Sequence, residues 1–143
     1  MVEHGLGLNE QAVGALTLPE ALHELLQNSE VLFALPDSAI YNDSTIRNIL
    51  LTTYRRGIPL IGFSPGIVKA GALCAVSSTP AQIAAQAATL IRQFGDSHPL
   101  PVAQYPQEFE ITINEQVANS LGLPIKTTSE LSHEIKAAEK SAP

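Results

Sequence analysis

The residues with the clearest chemical potential stand in one five-residue run, Gly62-Phe63-Ser64-Pro65-Gly66. The run matches G-x-S-x-G, the turn that presents the serine nucleophile of many hydrolases directly after a strand. In that turn the residue after the serine donates its backbone N–H to the oxyanion. Here that residue is Pro65, which has no N–H. Proline also drives the residue before it toward extended backbone, whereas the nucleophile turn needs a strained one. The bases are badly placed as well. After Ser64 come His98 and His133, and the Asp that follows, Asp96, shares a loop with His98. Serine hydrolysis through Ser64 is therefore the alternative reading. The favoured one makes Ser64 a ligand contact or a turn residue.

Asp37 and Ser38 follow an apolar run, Val31 to Leu35, just as Ser64 and Pro65 follow Ile58 to Phe63. Ligands of open α/β sheets bind beyond the carboxyl ends of the strands. A carboxylate there can pair with a ligand amine, and a hydroxyl can bond a carboxylate or amide. Asp37 reads equally as a residue closing its own turn. Lys69 could neutralise a ligand carboxylate, though a solvated lysine explains it as well. The candidate ligand-binding residues are thus Asp37, Ser38, Ser64 and Pro65. No catalytic residue, cofactor or metal is expected.

The remaining chemistry-bearing residues point nowhere specific. His4, His23, His98 and His133 lack metal-ligand spacing. Gly5-Leu6-Gly7 follows no strand, and Glu10 stands where a dinucleotide fingerprint has its third glycine. Cys74 is the only cysteine and lies in an apolar run, as a small core residue would. The net charge is −6, and the one basic doublet, Arg55-Arg56, falls at the end of a helix whose dipole it complements. Nucleic acid is excluded as a partner, because phosphate neutralisation needs clustered cations. Hydrophobic residues make up 45% of the 143 and charged residues 15%, a globular balance. Met1 to Gly5 has neither the basic nor the apolar part of a signal peptide, and no apolar run is long enough to cross a bilayer. The chain as written is expected to be soluble.

The elements that would position these residues alternate. Leu6 to Ala15 reads as weakly extended. Thr17 and Glu20 have capping-box spacing, with Pro19 in the first turn of a helix carrying Leu18, Leu22, Leu25 and Leu26. Val31 to Leu35 and Ile58 to Phe63 read as strands buried on both faces. Thr45 to Arg56 is a helix between them, stopped by Gly57 and Pro59. Ser64 to Gly71 is a loop with about one helical turn, and Ala72 to Val76 a further strand. A helix runs from Ser78-Thr79-Pro80 to Phe94, with Ile83, Ala87, Leu90 and Phe94 inward and Gln82, Gln86 and Arg92 outward. Gly95 to Pro106 is a loop, Phe109 to Ile113 a half-exposed strand, and Asn114 caps a short helix ending at Leu121-Gly122. Thr127 to Pro143 holds a polar helix and a frayed tail. Such alternation predicts a layered α/β/α fold with a mostly parallel sheet.

Three stretches also carry a family likeness. VLFALPDSAIYN, followed by IRNILLTTYRRGIPLIGFSPGIVKAGALCAVSSTPAQIAAQAATLI, resembles the substrate-binding proteins of ABC transporters, in the group of tryptophan/tyrosine-type uptake components. FEITINEQVANSLGL resembles that group's closing strand and helix, so the likeness runs from Leu6 to Leu123. It implies a two-lobed periplasmic-binding fold of type I, with a small molecule, such as an amino acid, held between the lobes. It also implies an ABC permease as partner, a periplasmic or lipid-anchored location, and binding without catalysis. Residues 1–71 would be second-lobe-like. Residues 72–123 would hold a crossover strand and elements returning to the first lobe, and 124–143 a polar C-terminal tail. Family members carry a signal sequence and a first-lobe segment ahead of this region, so the chain is expected to be a C-terminal portion that self-associates for lack of cover. A non-catalytic α/β interaction module is the other alternative. The ligand itself does not follow from these residues.

Overall fold

A computed structural model of the chain describes residues 7–13, 16–94 and 104–141. The elements are α1 (Leu18–Leu25), β1 (Leu32–Phe33), α2 (Ile46–Arg55), β2 (Leu60–Gly62), α3 (Pro65–Ala70), β3 (Cys74–Ser77), α4 (Pro80–Phe94), β4 (Glu110–Ile113), α5 (Glu115–Ser120) and α6 (Thr128–Ser141). One four-stranded sheet has the order β1-β2-β3-β4. The first three strands are parallel, and β4 returns antiparallel to β3. The fold is therefore mixed α/β with a mostly parallel sheet, as the alternation of elements requires. The sheet runs continuously across residues 71 and 72.

Threonines start three of the helices. At α1, Glu20 reaches back to accept from the Thr17 N–H at 2.9 Å and from its hydroxyl at 2.7 Å. At α4, Thr79 and Gln82 exchange bonds, N–H to Oε1 at 2.8 Å and N–H to Oγ1 at 3.2 Å. Thr127 and Glu130 do the same at α6. Each arrangement satisfies amide groups that a helix start leaves without partners.

The core lies on one face of the sheet. Leu32, Ala34 and Leu60 point into it and meet Leu22 and Leu26 of the α1 segment and Ile49 and Leu50 of α2. Ile67 of α3 completes it beside β2. The alternate residues point the other way, and along β1 that face is exposed. Phe33 and Leu35 are each 63% exposed, and Val31 and Val76 are exposed beside them. The Val31 to Leu35 strand is thus not buried on both faces, contrary to the reading of it as doubly covered, whereas no residue from Ile58 to Phe63 is exposed. Continuous apolar sequence reports what a face is suited to touch; at β4, α6 packs alongside, with Lys136 over the Phe109 ring.

Three further expectations are corrected. Residues 7–13 form no strand, and the rest of the stretch from Leu6 to Ala15 includes undescribed positions. The loop assigned to Ser64 to Gly71 is α3: Ser64 caps it, Pro65 occupies its first turn and Gly71, at φ +128°, ends it. The α4 stripe is not inward. Ile83 is 56% exposed, Ala87 is exposed and Leu90 is only half-buried, while the side chain of Phe94 lies outside the described residues. It is Gln82 and Gln86, expected outside, that turn toward the protein. The Gly95 to Pro106 loop and the end of the tail fall mostly or wholly outside the described residues.

Gly62 makes a sharp test of this packing. A Cβ built there would lie 2.9 Å from Ile67 Cγ2, closer than real contacts allow. Gly62→Ala should lower unfolding free energy by about 1–3 kcal/mol through overpacking. Gly7→Ala, where a Cβ meets nothing within 4 Å, should leave it unchanged. Urea denaturation of both variants measures the contrast.

Candidate functional site

The parallel strands β1 and β2 end side by side: the Ala34 N–H reaches the Ile61 carbonyl at 2.9 Å. The loops beyond them meet through aromatic rings. Tyr41 and Phe63 stand edge to face with centroids 5.8 Å apart. This contact joins the Asp37 loop to the residue before Ser64, so the two candidate segments do share one edge of the sheet.

Each side chain at that edge has local work. Asp37 Oδ1 accepts from the Ala39 N–H at 2.8 Å, and the Asp37 carbonyl accepts from the amides of Ile40 and Tyr41. Asp37 therefore closes its own turn, as the structural reading of it required. Asn42 ties the loop from the other side. Its amide donates to the Ser38 carbonyl at 3.0 Å, and its side-chain oxygen accepts from the Ser44 N–H at 3.1 Å. Ser38 and Pro65 are exposed. Ser64 is half-buried and its Oγ accepts from the Ile67 N–H at 3.4 Å. Its backbone is extended, φ −154° and ψ 154°, which is what Pro65 imposes and what a nucleophile turn forbids. Lys69 lies exposed in the last turn of α3, where it complements the helix dipole.

Asn42, whose run Asn42-Asp43-Ser44 offers helix caps in the sequence, also organises the Asp37 loop. Two features here escaped the sequence reading. The Tyr41–Phe63 pair, which joins the loops, has no signal in spacing alone. The α3 start had one: Ser64-Pro65 is a cap followed by proline in the first turn, the same logic that located the helix after Thr17. A groove of about 320 Å3 lies elsewhere, on the helical side. It is lined by Ile46, Arg47, Leu51 and Tyr54 of α2, Ala70 of α3 and Val117 of α5, among others. Among the described residues no cluster of His, Cys, Asp and Glu could hold a metal, and no helix is long and apolar enough to cross a membrane.

Burial pushes the Tyr41 hydroxyl above its ordinary value of about 10, and the charge of Asp37 adds to the shift. The folded state thus holds this proton longer than the unfolded chain does. That contribution is fully present below pH of about 10 and is lost as pH rises from there through the folded-state value. Tyr41→Phe should remove this part of the alkaline decline in stability, measured as melting temperature against pH. Ser64→Ala should cost about 0.5–1 kcal/mol for the lost cap, and Ser64→Asp should restore most of it.

No family model matches this sequence, and no curated protein does. Solved structures do. One is the crystal structure of a conserved domain protein from Vibrio cholerae O1 biovar El Tor, at 22% identity and a TM-score of 0.53. Another is the crystal structure of an ABC domain in complex with L-Trp from Streptococcus pneumoniae, at 14% identity and a TM-score of 0.53. Each match covers 76% of this chain and 37% of the other. The chain thus spans little more than a third of the length of these neighbours. At such identities the likeness establishes the fold alone: a layered α/β domain consistent with part of a periplasmic-binding-like fold.

Proposed function

We propose that the chain is a small-molecule-binding module of the kind that serves ABC importers, and that it works by reversible binding without catalysis. The observation that carries this reading is the meeting of the two loops at the carboxyl edge of β1 and β2. That edge is where open parallel sheets take their ligands. Its residue types suit an amino acid. An ionised carboxylate has about four lone-pair positions, so the Ala39 bond leaves Asp37 free to accept from an ammonium group. Ser64 accepts the Ile67 N–H and keeps its own O–H to donate to a carboxylate. Tyr41 and Phe63 offer an aromatic wall between them.

The fold neighbour crystallised with L-Trp supports a ligand of this class, and the sequence likeness to tryptophan/tyrosine-type uptake components points the same way. In this reading residues 1–71 belong mainly to one lobe. Residues 72–123 lead to and from another, whose opposing wall closes the cleft, and 124–143 form a polar tail. The permease of an ABC importer would be the protein partner, and the module would act in the periplasm or on a lipid anchor.

Titration of the 15N-labelled chain with L-Trp and other L-amino acids tests the proposal. Amide shifts should gather in residues 36–42 and 63–66. Asp37→Ala should weaken binding roughly ten- to a hundredfold, the worth of a charge-assisted hydrogen bond of about 1.5–3 kcal/mol. Shifts confined to the groove between α2 and α5, or an Asp37→Ala variant that binds as well as the parent, would refute the site.

A further inference from the structure

The two loops at the carboxyl edge carry charge of one sign. Residues 34–46 and 62–68 include Asp37 and Asp43 and no Lys, Arg or His. The eight Lys and Arg of the chain all lie elsewhere. Arg47 is the nearest along the chain, and it lines the groove on the helical side. Lys69 is exposed in the last turn of α3, a full turn beyond Ser64. Arg55 and Arg56 stand at the far end of α2, and the other four belong to α4, α6 and the approach to α6. The hydrogen bonds sharpen the contrast. The amides of Ala39, Ile40 and Tyr41 all turn back onto Asp37. The side-chain amide of Asn42 donates to the Ser38 and Ala39 carbonyls, and the Asn42 N–H goes to Thr45 Oγ1 at 3.1 Å. At the start of α3, Pro65 has no N–H, and Ile67 and Val68 give theirs to Ser64. Asp37 keeps lone pairs to spare, because one N–H takes one of about four. The donors left over, such as the Ser38 and Ser64 hydroxyls, are neutral.

We infer that this wall selects organic cations: a primary amine on an aromatic body binds it at least as tightly as the matching amino acid. The selection rests on the reading of this edge as a ligand site, and it concerns the wall that this chain supplies, whatever stands opposite. Each end of an amino acid meets something different here. An ammonium group meets the Asp37 carboxylate, a charge-assisted pairing. It also meets aromatic rings. Tyr41 and Phe63 stand edge to face with centroids 5.8 Å apart. The charge of Asp37 is felt at the Tyr41 hydroxyl, whose ionisation it opposes, so carboxylate and ring are near neighbours. A ring face attracts an ammonium group through its quadrupole and offers a carboxylate no such attraction. A ligand carboxylate instead meets the like charge of Asp37. Neutral donors such as the Ser64 hydroxyl are what it finds, and no cation of this chain repays its desolvation. The gain at Ser64 is therefore offset by the repulsion from Asp37. An amino acid binds this wall through its ammonium end and its ring, with its carboxylate turned outward.

Three indoles that differ in their charged groups make the test. Tryptamine carries the amine alone, L-Trp carries both groups, and indole-3-propionate carries the carboxylate alone. Each is titrated into the 15N-labelled full chain near neutral pH, where both groups are ionised. Dissociation constants are read from amide shifts in residues 36–42 and 63–66. Tryptamine should bind at least as tightly as L-Trp, and indole-3-propionate about tenfold or more weaker than either. Asp37→Asn keeps the oxygen that accepts from the Ala39 N–H and loses the charge. It should weaken tryptamine about tenfold or more and bring the three ligands close together. Lys69→Gln and Arg47→Gln should leave the order of the three unchanged. L-Trp bound at this edge with tryptamine tenfold or more weaker would overturn the inference and leave the amino-acid site standing. Loss of L-Trp binding in Lys69→Gln or Arg47→Gln would do the same, by placing a cation at the ligand carboxylate. Shifts from none of the three ligands, or shifts elsewhere in the chain, would sink the site and the inference together. Should Asp37→Asn unfold, the order of the three ligands on the parent chain decides alone.

Discussion

Gly62 has no side chain, and Ile67 takes the space one would need, with its Cγ2 at 2.9 Å from where a Cβ would stand. This close approach draws α3 down onto the end of β2. It fixes Ser64 as the cap at the joint, and it sets Phe63 where its ring can meet Tyr41. The loop after β1 is thereby held against the loop after β2. Remove the close approach and the carboxyl edge of the sheet loses its geometry, although the strands could still pair. Local steric economy at one glycine thus governs the place where the loops after β1 and β2 meet.

The remainder of the core follows from one-sided packing. Leu32, Ala34 and Leu60 alternate with residues that point away, so the helices α1, α2 and α3 bury one set and leave the other. Thr53 is buried among them without penalty, since its hydroxyl donates to the Leu50 carbonyl at 3.0 Å. Asn114 ties the second half to the first. Its side chain caps α5 through the Val117 N–H and donates to the Val68 carbonyl of α3 at 3.1 Å.

Much of this was legible in the sequence, and the limits are physical. Val31 to Leu35 and Ile58 to Phe63 announce parallel neighbours because a helix of the right length separates them. The threonine boxes at Thr17 and Thr79 announce helix starts because few other residues satisfy free amides so cheaply. What sequence could not tell was which apolar faces find a partner. Ile83, Ala87 and Leu90 have helical spacing whether or not anything lies against them, so periodicity alone made them inward. At the edge of the sheet, position was legible and division of labour was not. Asp37 and Ser64 sit where the strand ends put them, yet their bonds to Ala39 and Ile67 depend on turn geometry that residue types leave open.

The borders of the sheet carry a consequence of their own. β1 forms one border and is only two residues long, with Pro36 soon after it. β4 forms the other, has Glu110 exposed and is packed against by α6. Short strands, proline and charge at a border deny a neighbouring chain the row of free amides that sheet extension needs. Growth strand by strand, the route to fibrils, is therefore blunted at both sides.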